Sequence, residues 1–246
     1  MEIEEIQVFS DRDKFRYRLG DLVIHGNRAG NQILKTPDYR DTIGYRYVVK
    51  VVELGRALNR LELDRLVEEH LKKNQHYKTP KHDELVVHLR LGDRDTMLLQ
   101  ENIDKLVTKS LEVMSKEGLH SVTIVTAVHF AYWSKPEDIG DKPLQSKGAI
   151  RRIVERFEES GVQCGIRSAE DVDEDFCYLI KAKNLIITSG NFSILAGILN
   201  RNNVYSPISG GNRLKKEKNK SEDAPIGRVI SYDCWKSILG KEQAIS

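Results

Sequence analysis

Short apolar runs alternate with segments of helical period along most of this chain. The run ELVVHLRL (84–91) is apolar almost without interruption, which predicts a strand. ENIDKLVTKSLEVMSKEG follows, with apolar residues three and four apart and Gly118 at its end, and predicts a helix. SVTIVTAV then predicts a strand, AIRRIVERFEESG an amphipathic helix ended by Gly161, and VQCGIRS a short strand. DEDFCYLIKAK predicts a helix, NLIITSG a strand, NFSILAGILN a helix and NNVYSP a last short strand. Near-continuous apolar strands, each followed by a helix, predict an α/β fold with a parallel sheet covered on both faces. In such sheets ligands bind at the carboxyl ends of the strands.

The first third is less regular. EIQVF and DLVIHG predict strands, with the glycine- and asparagine-rich turn GNRAGNQ (26–32) after the second. YRYVVKVVELGRALNRL and LDRLVEEHLKKNQ have helical spacing, and HYKTPKHD, containing Pro80, predicts a connector. This places a domain boundary near residue 80, with lobes 1–80 and 81–246 and a ligand cleft between them. The charged, glycine-flanked segment 210–225 has no apolar period and predicts a loop.

Composition changes this picture mainly by exclusion. The 246 residues are 39% hydrophobic and 31% charged, the balance of an ordinary globular chain. Thirty-nine Lys and Arg against 37 Asp and Glu leave a net charge of +2, which argues against a generic nucleic-acid coat. Cys164, Cys177 and Cys234 have no metal-ligand spacing and predict reduced thiols. The acidic start MEIEEIQVF lacks a signal-peptide pattern, and no run reaches the roughly 18 apolar residues of a bilayer span. A cytoplasmic location is therefore expected.

Four stretches put polar groups where a parallel sheet presents a site. His88, Arg90 and Asp93 end a strand, and an arginine fork suits phosphate oxygens. The bland account is a strand-end salt bridge. TSGNFS (188–193) runs from a strand into a helix, where backbone N–H groups attract an anion. Its bland account is an N-cap by Asn191 or Ser193. GNRAGNQ places Gly30 and Asn31, with Arg28, in a polar loop that can equally be a plain turn. SAEDVDEDF (168–176) sets acids, Asp171 among them, at a helix start, where capping competes with holding a base or ribose. His25, Asp83, His129 and Trp133 are looser candidates. Walker A, HExxH, CxxC and serine-triad patterns are absent from the sequence.

HLRLGD resembles the H-x-R-R-x-D motif of the fucosyltransferase superfamily. DEDFCYLIKAKNLIITSGNFSILAGILN resembles the later block of the bacterial-type α-1,2-fucosyltransferases, glycosyltransferase family 11-like, and GNRAGNQI their glycine loop. The three occur in the family's order, and the block at the C-terminal side is the most specific. The resemblance implies a GT-B-like fold, two Rossmann-like lobes facing across a cleft, with the N-terminal, acceptor-side lobe reduced. It implies an inverting, metal-independent glycosyltransferase that moves a sugar, best fucose from GDP-fucose, onto a glycan or glycoconjugate acceptor. No cofactor or metal beyond the nucleotide-sugar donor is implied, and neither a nucleic-acid partner nor a membrane span.

Residue by residue, the resemblance puts Arg90 on the donor diphosphate, with His88 and Asp93 beside it. Ser189, Gly190, Asn191, Phe192 and Ser193 lie along the phosphates, Asp171 near the base, and Gly30 and Asn31 in the glycine loop. Arg90 and Asp93 are the catalytic candidates, and His25 is the candidate base for the acceptor hydroxyl. The chain departs from the family at Leu91, where the second arginine stands, and at Ile194 and Leu195, where paired tryptophans often stand. The departure at Leu91 and the short first lobe motivate an alternative: a nucleotide- or glycan-binding module of the same fold without turnover. A third reading, association with nucleic acid, rests on the basic run KKEKNK (215–220).

Overall fold

A computed structural model of the chain describes residues 2–6, 8–10, 60–92, 95–130, 136–169, 172–188, 190–207 and 229–232. After a 3-10 turn at Ile3–Glu5 come strand β1 (Val8–Ser10), helix α1 (Arg60–Lys73) and strand β2 (Glu84–Gly92). A second 3-10 turn, Asp95–Leu98, leads to α2 (Gln100–Glu117), β3 (Ser121–Phe130), the one-turn α3 (Pro136–Ile139) and α4 (Lys142–Glu159). Next are β4 (Gln163–Arg167), α5 (Val172–Lys181), β5 (Asn184–Ile187), α6 (Asn191–Leu199), β6 (Asn203–Pro207) and β7 (Val229–Tyr232). DLVIHG and GNRAGNQ lie outside the described residues, as do KKEKNK and Cys234.

The strands form one seven-stranded sheet in the order β1-β3-β2-β5-β6-β7, with β4 also paired to β3. Every pairing is parallel. β4 runs beside Ser121–Val125 of β3 and β1 beside Val128–Phe130, so the two share one flank of β3 at different heights. From β2 onward the order is that of a doubly wound, Rossmann-like sheet: third, second and first strands, then fourth, fifth and sixth. Both β1 and α1, from the stretch before residue 80, join this assembly: β1 pairs with β3, and α1 packs beside α6.

Alternation along β2 sorts its side chains. Leu85, Val87, Leu89 and Leu91 enter an apolar layer with Ile103 and Leu106 of α2 and Ile150, Ile153 and Phe157 of α4. Val86 enters the opposite layer with Phe176 and Leu179 of α5, Leu185 and Ile187 of β5 and Ala196 of α6. Each fully buried Leu, Ile or Phe contributes about 1.5–3 kcal/mol. His88 and Arg90 follow Val86 on this second face.

Some elements differ from their sequence reading for identifiable reasons. α4 begins at Lys142, seven residues before the expected Ala149. Pro143 and Gly148 look like breakers, but a proline in the first turn forfeits no hydrogen bond, and Gly148 has nothing within 4 Å of its would-be Cβ. NNVYSP is not the last strand, because VISY (229–232) pairs parallel with it. β5 is shorter than NLIITSG and stops at Ile187. Among the described residues the second face of the sheet is only partly covered: over β4 and the first half of β3, residues Gln163, Gly165, Ser121 and Thr123 are exposed or half-buried. Cys164 and Cys177 are free thiols. Burial and the nearby Glu158 push the Cys164 thiol up to about 12, so it stays protonated at neutral pH. No helix of the described residues is long and apolar enough to cross a membrane.

β2 ends on a glycine for a steric reason. Gly92 has φ +98°, and a Cβ there would lie 2.2 Å from the backbone oxygen of His129, its register partner on β3. Gly118, the left-handed C-cap of α2 at φ +65°, has nothing within 4 Å. Gly92→Ala is therefore expected to cost about 3 kcal/mol or more in urea denaturation, since strain and a backbone clash combine. Gly118→Ala is expected to cost about 1–2 kcal/mol, from the left-handed backbone alone. Equal losses would show that the contact with His129 does not constrain β2.

Candidate functional site

The strand order reverses between β2 and β5, and there the two most informative stretches of the sequence meet. Leu85–His88 pair with Asn184–Ile187. One step beyond the ladder, Thr188 continues the connection with its side chain: its Oγ1 donates to the His88 carbonyl at 3.1 Å and accepts from the Arg90 N–H at 3.2 Å. On the other side of β2, Thr126 Oγ1 donates to the Leu89 carbonyl at 2.9 Å. Both flanks of the segment carrying His88 and Arg90 are thus held by threonine hydroxyls.

His88 is 7% exposed, and its Nδ1 lies 2.5 Å from Ser193 Oγ in the first turn of α6. Its ring sits 5.2 Å from that of Phe192, which packs edge-on to Phe176 of α5 at 5.5 Å. Burying an imidazole costs free energy unless its nitrogens are hydrogen-bonded. Ser193, itself wholly buried, meets that need at Nδ1.

The N-cap reading of this stretch does not hold. The N-cap of α6 is Gly190, at φ 94° and ψ 155°, and it makes no side-chain capping bond. Ser193 lies inside the helix and turns to His88 instead. A Cβ on Gly190 would lie 3.7 Å from Cγ of Arg90, so the glycine and the arginine side chain are neighbours. The positive φ favours glycine, and the missing side chain leaves the first-turn N–H groups of α6 approachable. Arg90 itself is half-buried. The site thus brings the stem of the Arg90 side chain beside the positive end of a helix dipole, over strands that fix both.

His88, Arg90, Gly190, Phe192 and Ser193 are accordingly brought together, and Asn191 opens α6 beside them. His25, Gly30, Asn31, Asp93, Asp171, Ser189 and Trp133 lie outside the described residues. Asp83 precedes β2 at its amino end, away from this site. His129 lies within β3 rather than after it and is buried opposite Gly92. Leu91 is fully buried in the α2/α4 layer, on the face of β2 opposite to His88.

The acidic stretch before α5 has a structural task that its sequence did not disclose. Asp175 accepts the Ala169 N–H at 3.0 Å, which ties the residues after β4 to the start of α5 without capping the helix. Arg167, at the end of β4, pairs with Glu174 and Asp175, each at 2.7 Å, and its guanidinium lies 4.5 Å over the Tyr178 ring. Tyr178 Oη in turn donates to Glu84 at 2.6 Å, at the start of β2. This chain of contacts clamps α5 across β4, β3 and β2. No signal at short range identifies Arg167 or Glu84 as its members, because the strands that carry them are far apart in sequence. Among the described residues, no group of three or more His, Cys, Asp or Glu is placed to hold a metal ion.

Two measurements check these geometries. Ser193→Ala removes a hydrogen-bond partner from buried His88 and is expected to cost about 1–3 kcal/mol in urea denaturation. No loss would mean that the short contact does not stabilise α6 on β2. Burial and the bond to Glu84 raise the pKa of Tyr178 above its ordinary value. The unfolded chain then loses this proton first, so the stabilisation is complete below about pH 10 and fades as pH rises toward the folded value. Tyr178→Phe is expected to be less stable than the parent at pH 8, with a gap that narrows above pH 10. A constant gap would contradict the protonated Tyr178–Glu84 bond.

No protein-family model, no curated protein and no solved structure matches the chain.

Proposed function

We propose that the chain is an inverting, metal-independent glycosyltransferase, with its nucleotide-sugar donor held by the diphosphate at the carboxyl ends of β2 and β5. One observation carries this reading: two motifs a hundred residues apart, read separately as anion-binding, converge in space at the strand-order reversal. The convergence is made by His88 with Ser193 and by Arg90 with Gly190. Open α/β sheets bind ligands at this point.

The chemistry follows from the groups present. Transfer breaks the anomeric C–O bond and leaves charge on the departing diphosphate. Arg90 and the N-terminus of α6 are fixed positive groups beside which that charge develops, and removing one such donor typically costs about 2.7–4 kcal/mol of barrier. His88, oriented by Ser193, lines the same edge. In the full reading Asp93 orients the arginine and Asp171 holds the base. β1 and α1, from residues 1–80, belong to this sheet's own assembly, so in the GT-B reading the acceptor glycan is left to the rest of that stretch. His25 takes the acceptor's proton. Fucose from GDP-fucose is the preferred donor, on the resemblance of the two blocks. Leu91 leaves this reading intact, because its side chain belongs to the opposite face of β2.

The test is a thermal-shift panel with GDP, UDP, dTDP and CDP, repeated on Arg90→Ala, followed by a search for GDP-fucose hydrolysis and transfer. At a hundredfold excess over Kd, a ligand of the native state adds about 2.7 kcal/mol, a rise of about 5–10 °C in a chain of this size. GDP is expected to produce such a rise in the parent, and Arg90→Ala to bind at least tenfold more weakly. No shift with any nucleotide would overturn the donor site. A shift without hydrolysis or transfer would favour the binding module, in which the fold keeps its ligand and lacks the reaction.

A further inference from the structure

On the far side of α5 from His88 lies a second cleft of about 720 Å³, within the range of small-molecule sites. Its floor is the uncovered part of the sheet. Ser121 and Thr123 of β3 lie in register with Gln163 and Gly165 of β4. Glu174 and Tyr178 of α5 and Arg167 form the wall, and Lys78 and Lys81, from the connector before β2, stand at its edge. α5 thus separates two environments: Phe176 points toward Phe192 and His88, while Glu174 and Tyr178 line the cleft.

The lining selects among ligands. Its lining mixes hydroxyls and an amide with apolar surface from Ile166 and Tyr178, a mixture that suits a sugar, which presents both hydroxyls and C–H faces. The Arg167 guanidinium lies over the Tyr178 ring, so that face is not open for a nucleobase to stack on. The acids are committed, Glu174 to Arg167 and Glu84 to the Tyr178 hydroxyl and the Lys81 N–H. Lys78 and Lys81 are exposed and make no ion pair with the described residues. Ser168 completes the set. It lines the cleft, is 3% exposed, and its hydroxyl has no hydrogen-bond partner among the described residues. A buried polar atom left unpaired carries a desolvation cost that a ligand atom can relieve.

We propose that this cleft between β4 and α5 is a second binding site, for a sugar anion. The sugar's hydroxyls bond to Ser121, Thr123, Gln163 and Ser168, and its carboxylate or phosphate faces Lys78 and Lys81. The site is independent of the donor reading, since no residue is shared between them.

The test is a titration followed by backbone amide NMR, with glucuronate and glucose 6-phosphate as the two sugar anions and glucose and inorganic phosphate as controls. Both anions, or one of them, are expected to shift the amides of Ser121, Gly165 and Ser168 at millimolar concentration. Binding by one alone identifies the acid as carboxylate or phosphate. Glucose and phosphate are expected to bind at least tenfold more weakly.

Gly165 has ordinary backbone geometry, and a Cβ there would meet only Thr123 Oγ1 at 3.5 Å and a backbone oxygen at 3.9 Å. Gly165→Val therefore suits the strand and fills the floor, and is expected to weaken binding at least tenfold. Lys78→Glu with Lys81→Glu, a surface change, is expected to weaken the anions tenfold and leave glucose unaffected. The proposal is overturned if neither anion shifts these amides, if both variants bind as the parent does, or if inorganic phosphate alone binds equally well. The GDP thermal shift of Gly165→Val reads the other side of α5 separately, so the failure of either site leaves the other standing.

Discussion

Everything described here depends on β2 having a strand on each side and an apolar layer on each face. A strand so enclosed must satisfy its backbone in two ladders and fill both layers with side chains of the right volume. β2 does so with leucine and valine at positions 85–87 and with leucine at positions 89 and 91, after a buried Glu84 that accepts from Tyr178. It departs from apolarity at His88 and Arg90, where the ladder to β5 ends and Thr188 takes over. Polar groups can enter so crowded a place only with partners built for them. Ser193, Thr188 and Thr126 are those partners, and they come from α6, the turn after β5 and β3.

The same enclosure explains why so much of the fold was legible in the sequence. β2, α2, β3, the second half of α4, β4, α5 and α6 each have a clear period or a clear stop, Gly118 after α2 and Gly161 after α4 among the stops. What periodicity misses is what depends on distant partners. VISY is four residues after a charged stretch, and only its pairing with β6 makes it a strand. The first half of α4 was hidden by Pro143 and Gly148, residues that break helices in general and not at these two positions. The two halves of the candidate site were each visible, as HLR and as TSGNFS, and each had an adequate local explanation. Only the strand order puts Ser193 against His88, which excludes a helix cap for that serine. The clamp from Glu84 through Tyr178 to Arg167 was invisible for the same reason: it follows the register of three neighbouring strands.

α5 shows how a single helix serves two surroundings. Its aromatic and aliphatic residues complete the layer that carries His88, while Glu174 and Tyr178 look onto an uncovered wing of the sheet. Its carboxyl end is equally fixed. Asn200, fully buried, donates to the carbonyls of Leu179 and Ala182 at 2.9 and 2.8 Å, and accepts the Asn202 N–H at 2.7 Å. Carbonyls that would otherwise lack partners at the end of α5 are thereby satisfied by the segment after α6. With Arg167 at one end and Asn200 at the other, the helix is positioned from both directions.

The contacts that make the candidate site join residues 98 to 105 positions apart. A growing polypeptide that has reached α5 already contains β2, β3 and β4, yet holds no part of the crevice between β2 and β5. Until residues 184–187 have been added, one flank of β2 is an unpaired edge able to accept a foreign strand, and until residue 193 the His88 ring has no Ser193 to meet. Pairings of such long sequence range are slow to form, because a large loop must close before any contact rewards it. For this chain the interval between synthesis of β2 and arrival of β5 is therefore the period of greatest exposure to aggregation, and the strand at risk is the one that carries the candidate site.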